Sequence, residues 1–323
     1  MPPKFPDLGK IKQLIPPLVP EMHKGQAGRV GIVGGSEDYT GAPYFSGISA
    51  MKLGADLCHI FCEPGAGTVI KGYSPDLIVH PYLRTSEHAK ESKLSSQEIV
   101  DNVASVFSRL HVLVVGPGLS RDSQMLEAAK GIIERAKEKN MAIVLDADGL
   151  FLVQNNPEIV QNYQKAVLTP NVVEFKRLCD SMKLKFEDSD KDKMAEKLSN
   201  AFGGVTIVQK GSRDLISNGK EVLICDAEGG LKRMGGQGDI LSGVIATFLA
   251  WGKGYQDGVW KHDSSLEQKE ISLLSAWAGC RIVRECAKRA FEKHGRAVLT
   301  SHLVEEIGPA YASLFENGNS SKM

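Results

Sequence analysis

The sequence predicts an α/β fold in which helices cover both faces of a largely parallel sheet. Short, continuous apolar runs recur along the chain, and such runs are typical of parallel strands that are buried on both faces. Each run leads into a glycine-containing turn and then into a segment with helical spacing, which is the rhythm of βαβ units. The chain has 323 residues, of which 42% are hydrophobic and 24% are charged, so it can bury a sizeable core.

The predicted strands are short, and most of them precede a turn rich in glycine or polar residues. They cover residues 30–34, 57–61, 111–115, 142–145, 166–168 and 205–208. Residues 215–226 predict a β-hairpin, because Asn218-Gly219 in their middle is a favoured hairpin turn. In open α/β sheets, ligands bind beyond the carboxyl ends of the strands. We therefore expect the functional site in the turns that follow five of these strands. They are the turns after residues 30–34, 111–115, 142–145, 166–168 and 205–208.

The predicted helices alternate with the strands and dominate the last third of the chain. They cover residues 42–53, 124–139, 240–251 and 267–294, with further helix from Leu303 onward. The charge-dense residues 188–197 predict a solvated helix face or loop, and residues 317–321 predict a frayed tail. Because no internal repeat or low-complexity tract interrupts this pattern, we expect residues 1–323 to form a single domain.

The charge balance and the cysteine pattern indicate which partners and which cellular compartment to expect. Lys plus Arg and Asp plus Glu number 39 each, so the formal net charge is zero, and neither nucleic acid nor an anionic membrane is a predicted partner. No run approaches the roughly 20 apolar residues of a membrane span, and the N-terminus lacks the apolar core of a secretory signal. None of the six cysteines forms a CxxC pair. We therefore expect a cytoplasmic protein with reduced, packed cysteines.

Residues 233–243 carry the strongest chemical signal. Gly235, Gly236 and Gly238 lead directly into Asp239 and a helix without charged residues. Glycines at that point let the backbone turn, so that the N–H groups at the start of the helix converge on an anion. Asp239 then either accepts the proton of a substrate hydroxyl during phosphoryl transfer or serves only as a helix N-cap. The apolar helix and the other strand-end motifs favour the catalytic interpretation.

Two other strand-end turns fit the same site. Lys210-Gly211 can place an ammonium and a backbone N–H near phosphates, with a solvated turn as the alternative. Asn171 and Glu174 have the spacing of a capping box. They therefore either cap a helix or hold substrate hydroxyls and the waters of a bound Mg²⁺.

The remaining turns carry small or acidic residues. Gly116-Pro117-Gly118 either lets a ligand approach the backbone or forms only a tight turn, and Asp146 and Asp148 either bind a ligand or cation or cap a helix. The glycine-rich residues 31–36 are not a GxGxxG dinucleotide motif, and the chain contains no GxxxxGK[ST] or GxSxG motif. These patterns exclude a Rossmann fingerprint, a Walker-type NTPase and an α/β-hydrolase.

Taken in order, the motifs resemble the ATP-dependent NAD(P)H-hydrate dehydratase family, a branch of the ribokinase-like superfamily. The resemblance runs from about residue 24 to about residue 310. Its motifs are Lys24-Gly25, Gly28-Arg29-Val30, Gly34-Gly35-Ser36, Tyr39-Thr40-Gly41-Ala42-Pro43, Gly116-Pro117-Gly118-Leu119, Asp146-Ala147-Asp148-Gly149-Leu150, Thr169-Pro170-Asn171, Glu174-Phe175, Lys210-Gly211 and Gly235-Gly236-Gln237-Gly238-Asp239. It implies a ribokinase-like three-layer α/β/α sandwich with a largely parallel central sheet.

The resemblance also implies a repair reaction. The family uses ATP to phosphorylate the C6 hydroxyl of the S epimer of hydrated NADH or NADPH, and phosphate, a better leaving group than hydroxide, then departs. It implies that Asp239 is the base, that the N–H groups of residues 236–238 stabilise the transferring group, and that Mg²⁺ bridges ATP oxygens. No metal ligand is directly assigned, although Glu174 can reach Mg²⁺ through water. A separate NAD(P)H-hydrate epimerase is expected, because only about 25 residues precede the match.

The family's contacts carry over by position. The substrate contacts are Gly118, Asn171, Val172, Val173, Glu174, Phe175, Lys176, Arg177 and Asp239. The ATP contacts are Lys210, Gly211, Ser212, Arg213, Asp214, Gly229, Gly230, Leu231, Lys232, Arg233, Met234, Gly235, Gly236, Gln237 and Gly238. Two positions depart from the commoner form, since Ser120 stands where glycine is usual and Val172 where a histidine or other polar residue is usual.

Two other functions remain open from the sequence. One is a ribokinase-like small-molecule kinase that acts on a vitamin-precursor alcohol, and the other is a non-catalytic nucleotide-binding protein. The sequence does not rank NADH against NADPH or ATP against other triphosphates. It also leaves open whether the chain forms a homo-oligomer.

Overall fold

The computed structural model describes residues 3–185, 191–263 and 265–316. Within these ranges, nine strands form one sheet. They are β1 (Arg29–Val33), β2 (Leu57–Phe61), β3 (Ile78–His80), β4 (Val112–Val115), β5 (Ala142–Leu145), β6 (Ala166–Leu168), β7 (Thr206–Gln209), β8 (Asp214–Ser217) and β9 (Val222–Cys225). Their order across the sheet is β3-β2-β1-β4-β5-β6-β7-β8-β9. Neighbouring strands from β3 to β7 are parallel, whereas β7–β8 and β8–β9 are antiparallel pairs.

The helices connect the parallel strands and extend the chain beyond the sheet. They are α1 (Leu8–Leu14), α2 (Gly41–Leu53), α3 (Pro64–Tyr73), α4 (Ser86–Ser92), α5 (Ser96–Ala104), α6 (Ser123–Glu138), α7 (Asp148–Asn155), α8 (Val172–Ser181), α9 (Lys191–Ala201), α10 (Gln237–Gln256), α11 (Gln268–His294), α12 (Thr300–Glu305) and α13 (Ile307–Tyr311).

The strands direct their side chains alternately into two apolar layers. On β4, Val112 and Val114 belong to one buried cluster, and Leu113 and Val115 belong to the other, as the two-residue period of a strand requires. The first layer contains residues of α1, α2, α3 and α10 to α13, and the second contains residues of α5 to α9. The predicted three-layer α/β/α sandwich is therefore confirmed.

Helix α10 lies in the middle of the first layer. Its residues 240–252 are all buried, which explains why that stretch of sequence has no charge. Helix α2 approaches it at Gly243, where an added Cβ would lie 1.9 Å from the carbonyl oxygen of Ser46. The hydroxyls of Ser46 and Ser242 are 2.9 Å apart beside this contact. The apolar packing and this close approach hold the start of α10 in one position relative to the sheet.

The structure confirms most of the predicted elements. The strands predicted at residues 57–61, 142–145 and 166–168 have those bounds, and the predicted hairpin is the pair β8–β9. The apolar pattern misses β3, because it is only three residues long and none of them is fully buried. Residues 191–197 of the charge-dense segment lie in α9, whereas residues 188–190 and 317–321 lie outside the described ranges.

The structure also bears on the predictions about the cysteines and about membrane-spanning segments. All six cysteine side chains are buried, which confirms that they are packed in the interior. Among the described residues, no helix combines the length and the apolar character needed to cross a membrane.

Candidate active site

The carboxyl ends of β5, β6 and β7 bring three polar side chains together. Asp146 follows β5, and its buried carboxylate accepts a hydrogen bond from the Thr169 hydroxyl, with 2.9 Å between Oγ1 and Oδ1. The Lys210 ammonium, which follows β7, donates to the same Oδ1 at 3.1 Å. Because these strands are adjacent and parallel, their polar end residues meet at the edge predicted from the sequence.

The first turn of α10 reaches the same edge. Gly236 precedes the helix with φ at 92°, a left-handed conformation that glycine adopts without strain. No side chain caps this end, and the first backbone hydrogen bond of the turn runs from Ile240 N–H to Gly236 O at 3.0 Å. The amides of Gln237, Gly238 and Asp239 are therefore the ones that a helix N-terminus offers to an anion.

Asp239 is the third residue of α10 and not its N-cap. This position decides between the two interpretations of the sequence motif, because the carboxylate does not satisfy the end of its own helix. Burial, and after it the charge of Asp146, raises the pKa of Asp239 to about 7, while the Lys210 ammonium acts in the opposite direction. A carboxyl group with a pKa near neutrality suits general base catalysis at physiological pH.

Gly238 brings the helix terminus and the strand ends into contact. A Cβ added at Gly238 would lie 3.3 Å from Asp146 Oδ2 and 3.5 Å from Lys210 Nζ. An anion held by the first-turn amides is thus within reach of the Lys210 ammonium. Burial lowers the pKa of Lys210, but the Asp146 and Glu174 carboxylates outweigh it and the net shift is upward, so the side chain stays cationic.

A cavity of about 800 Å³ opens over these groups. Its lining comes from the strand ends, the turn before α10 and one face of α11. The lining residues are Asp146, Ala147, Asn171, Val172, Glu174, Lys210, Gly211, Ser212, Asp214, Gly229, Arg233, Met234, Gly235, Gly236, Gln237, Gly238, Asp239, Leu241, Cys280, Val283, Arg284 and Ala287. The cavity is large enough for a nucleotide.

Arg284 of α11 holds the loop between β7 and β8 against the cavity. Its Nε donates to Asp214 Oδ2 at 2.7 Å, and its terminal nitrogens donate to the carbonyl oxygens of Gly211, Ser212 and Ala227 at 2.9 to 3.0 Å. The other Asp214 oxygen, Oδ1, accepts the Gly211 N–H at 3.0 Å. One guanidinium therefore fixes two loops that form a wall of the cavity.

Asn171 and Glu174 both cap α8 and line the cavity. Asn171 Oδ1 accepts the N–H groups of Val173 and Glu174, and Glu174 Oε2 accepts the Asn171 N–H at 2.8 Å. The capping box predicted from the sequence is confirmed. Burial, opposed in part by the hydrogen bond from Asn171, raises the pKa of Glu174. Capping and facing the cavity are thus compatible roles for the same two residues.

The turns after β4 and β5 bring the backbone close together. A Cβ added at Gly116 would lie 1.9 Å from the carbonyl oxygen of Asp146, so only glycine fits there. Ala147 has φ at 48° and ψ at −117°, a conformation that costs a non-glycine residue roughly 1 to 3 kcal/mol. Backbone strain of this kind is common at functional sites, and Ala147 lines the cavity.

Several residues predicted as contacts lie outside the large cavity. Gly118 is covered by Tyr39, whose carbonyl oxygen would be 2.5 Å from an added Cβ. Phe175 packs in the second apolar layer, and Lys232 donates to the carbonyl oxygens of residues 296 and 298. The other predicted contacts that do not line it are Val173, Lys176, Arg177, Arg213, Gly230 and Leu231.

The α11 wall is the part of the site that motif reasoning misses. Cys280, Val283, Arg284 and Ala287 belong to a long helix whose sequence shows no glycine turn or motif. Arg284 is 70 residues away from its partner Asp214 in the chain. Arg284 is one of three arginines on this helix, beside Arg281 and Arg289, and the local sequence does not say which of them contacts a loop of the site.

A family model for NAD(P)H-hydrate dehydratase matches residues 30–309. An ATP-dependent (S)-NAD(P)H-hydrate dehydratase of Phaeosphaeria nodorum is 47% identical, over 95% of this chain and 94% of that protein. The protein with the same name from Homo sapiens is 46% identical, over 95% of this chain and 84% of that protein.

Solved structures show the same fold at lower identity. An ADP/ATP-dependent NAD(P)H-hydrate dehydratase of Bacillus subtilis, co-crystallised with ATP and Mg²⁺, superimposes with a TM-score of 0.68 at 18% identity, over 97% of this chain and 99% of that chain. That likeness shows the fold alone, whereas the family model and the two close relatives together identify the family. The chain belongs to the NAD(P)H-hydrate dehydratase family.

Proposed function

We propose that this protein is an ATP-dependent dehydratase of the S epimer of hydrated NADH and NADPH. It restores NAD(P)H and releases ADP and phosphate, as the names of its close relatives indicate for those proteins. The observation that carries the proposal is the position of Asp239. Its carboxyl group, with a pKa of about 7, shares one cavity with the first-turn amides of α10 and the Lys210 ammonium.

The proposed reaction begins with proton transfer to Asp239. The C6 hydroxyl of the hydrated ring loses its proton to the carboxylate while its oxygen attacks the γ-phosphorus of ATP, and ADP leaves. The amides of Gln237, Gly238 and Asp239 and the Lys210 ammonium stabilise the negative charge of the transferring group. The phosphate ester then breaks at C6, a proton leaves C5, and the ring double bond forms again.

Asp146 is proposed to set the charge of the site without touching the reacting hydroxyl. It holds the Lys210 ammonium at 3.1 Å, so that this cation faces the phosphates. Its negative charge also adds to burial in raising the pKa of Asp239. With a pKa of about 7, Asp239 can accept the hydroxyl proton and then release it to solvent near neutral pH.

Mg²⁺ fits the donor set of this cavity. Asp146, Glu174 and Asp239 line it together, and carboxylate oxygens with water are the ligands that Mg²⁺ prefers. Within the described ranges, no group of three or more His, Cys, Asp or Glu side chains forms a ready-made metal site. Asp146 and Glu174 would hold its waters, and the ion would neutralise phosphate charge.

Different parts of the large cavity are proposed to bind the two substrates. We propose that the residues lining the β7–β8 loop, the turn before α10 and α11 bind ATP, while Asn171, Glu174 and Asp239 face the hydrated nucleotide. Only the S epimer is used, so we further propose that a separate epimerase converts the R epimer.

One assay tests the proposal. The protein is incubated with chemically hydrated NADH, ATP and Mg²⁺, and the near-ultraviolet absorbance of the dihydronicotinamide ring is followed. We expect recovery that requires ATP and that stops when the S epimer is exhausted. Absence of recovery, with ATP consumed only after addition of a vitamin-precursor alcohol, would indicate a ribokinase-like kinase. ATP binding without turnover of either substrate would indicate a non-catalytic protein.

A further inference from the structure

A second, smaller cavity of about 220 Å³ lies beside the active-site cavity. Ala147 and Glu174 belong to the walls of both. Its other lining residues are Arg121, Asp148, Leu150, Phe151, Gln154 and Arg177. A dinucleotide extends far beyond the nicotinamide ring that reacts. A substrate whose ring lies at Asp239 must therefore place its phosphates in neighbouring space, and this cavity shares two wall residues with the one that Asp239 lines.

Arg121 lies between Asp148 and Phe151 at this cavity, with its side chain 58% exposed. Its Nε lies 3.4 Å from Asp148 Oδ1, and its Cζ lies 4.4 Å from the centroid of the Phe151 ring. The other Asp148 oxygen accepts the N–H of Ser120 at 3.0 Å. The two terminal nitrogens of Arg121 make no hydrogen bond within the part of the chain that the structure describes. A guanidinium supported in this way presents its free fork to a phosphate.

Arg177 supplies a second guanidinium from α8. It is exposed, and it makes no hydrogen bond or ion pair with any described residue. The two carboxylates in the same walls are already engaged, because Asp148 accepts from Ser120 and Arg121 and Glu174 accepts from the Asn171 N–H. Two guanidiniums whose donors no described residue fully occupies therefore line a cavity whose acids have partners.

We infer that the smaller cavity is a phosphate-binding compartment of the substrate site, in which Arg121 acts together with Arg177. This inference rests on the proposed function, since it concerns a phosphate of the hydrated dinucleotide. The phosphate is either the pyrophosphate, which both hydrates carry, or the 2′-phosphate, which only hydrated NADPH carries. Ser120 has φ at 70°, and its N–H orients Asp148, so this position of the chain contributes through its backbone.

The test compares Arg121→Ala with Arg135→Ala, which removes an arginine that pairs with Asp101 and Glu138 on the exposed side of α6. Steady-state KM values are measured for hydrated NADH, hydrated NADPH and ATP. We expect Arg121→Ala to raise the KM of the hydrate by about 10-fold or more, because charged hydrogen bonds are lost. The KM of ATP should not change, and Arg135→Ala should match the wild type. Arg121→Lys keeps the charge but not the forked guanidinium, so its KM for the hydrate should lie between those of the wild type and Arg121→Ala.

The two phosphate sources give different results. If Arg121→Ala raises the KM of hydrated NADPH alone, the bound group is the 2′-phosphate. If it raises the KM of both hydrates equally, the bound group is the pyrophosphate. Unchanged KM values for both hydrates, or an equal increase in the KM of ATP, would overturn the inference. Dissociation constants of unmodified NADPH and NADH, measured by calorimetry, do not depend on turnover. A wild type that binds them with Arg121-dependent affinity but does not dehydrate would refute the proposed function while leaving the compartment intact.

Discussion

Lys210 and Asp146 form an ion pair, with 3.1 Å between Nζ and Oδ1, directly beside Gly238 at the start of α10. The carboxylate of this pair is 4% exposed and the lysine side chain 22% exposed, so water screens the pair weakly. Both members act on Asp239, in opposite directions. Burial is the main cause of the raised pKa of Asp239, and two residues that follow different strands adjust it in opposite directions.

Replacing Asp239 by asparagine should abolish most turnover. The amide keeps the size of the side chain but cannot accept the hydroxyl proton, and general base catalysis typically contributes about 10²- to 10⁴-fold. We expect kcat to fall by this factor while the dissociation constant of ATP stays within about twofold of the wild type. Calorimetric titration with ATP provides the second measurement. Full ATP-dependent turnover by the variant would disprove the assignment of the base.

The pH profile should report the raised pKa of Asp239. Because the base must be ionised, kcat/KM for the hydrated nucleotide should rise with pH and level off above about 7. Asp146→Asn removes a negative charge that raises this pKa, so the acidic limb should move to lower pH. Asp101→Asn, which changes an exposed carboxylate on α5, is the matched control. An acidic limb at the same pH in Asp146→Asn would rule out the proposed coupling.

The stability of the fold should depend on the same ionisation. The folded-state pKa of Asp239 is about 7, above the value near 4 of an unfolded chain. Its contribution to stability is therefore complete below about pH 4 and is lost as the pH rises through 7. We expect Asp239→Asn to be more stable than the wild type at pH 8, by at most about 4 kcal/mol, and to lose most of this advantage at pH 5. Thermal unfolding at both pH values measures the difference.

Neighbouring glycines in the catalytic turn should differ in their tolerance of alanine. Gly236 has a positive φ of 92°, and an added Cβ would lie 2.5 Å from Cγ2 of Thr300, whereas a Cβ at Gly235 meets nothing within 4 Å. Gly236→Ala should therefore lower the free energy of unfolding by about 1 to 3 kcal/mol. Gly235→Ala should leave it nearly unchanged. Chemical denaturation of the two variants makes the comparison, and equal losses would contradict it.

Arg284 should control the affinity for ATP through the loops that it holds. Arg284→Gln removes its bond to Asp214 and loosens the carbonyl contacts to residues 211, 212 and 227. We expect the KM of ATP to rise by about 10-fold, with a smaller effect on the KM of the hydrated nucleotide. Arg281→Gln changes an arginine one turn away that pairs with Glu285 and serves as the control. Similar effects of the two substitutions would indicate a general loss of helix stability.

The fold and the reacting edge could be predicted from the sequence because their signals are local. A continuous apolar strand such as β5 followed by Asp146, or a glycine turn before an apolar helix, is visible within about ten residues. The parallel sheet then brings such ends together without further information. This is why Asp146, Lys210 and Asp239 meet as the sequence pattern indicates.

The walls of the two cavities could not be predicted in the same way. Arg284 acts through a contact across 70 residues of sequence, and Arg121 depends on the packing of its guanidinium on Phe151. Arg284 stands on a helix, where arginines usually face solvent. Arg121 follows the Gly116-Pro117-Gly118 turn in the loop before α6, and no predicted contact includes it. The strained backbone of Ala147 is also invisible in the sequence, because alanine is an ordinary residue for a turn before a helix.

The burial of α10 has a consequence for the dynamics of catalysis. Active-site loops in many enzymes open by local unfolding at low free-energy cost. Here the amides proposed to bind phosphate begin a helix whose residues 240–252 are all buried, so this turn cannot melt without exposing the first apolar layer. Backbone amides just beyond it should exchange with deuterium only as fast as the whole protein unfolds. Substrate entry should then rely on movements of the opposite walls, while the turn before α10 remains as rigid as the core.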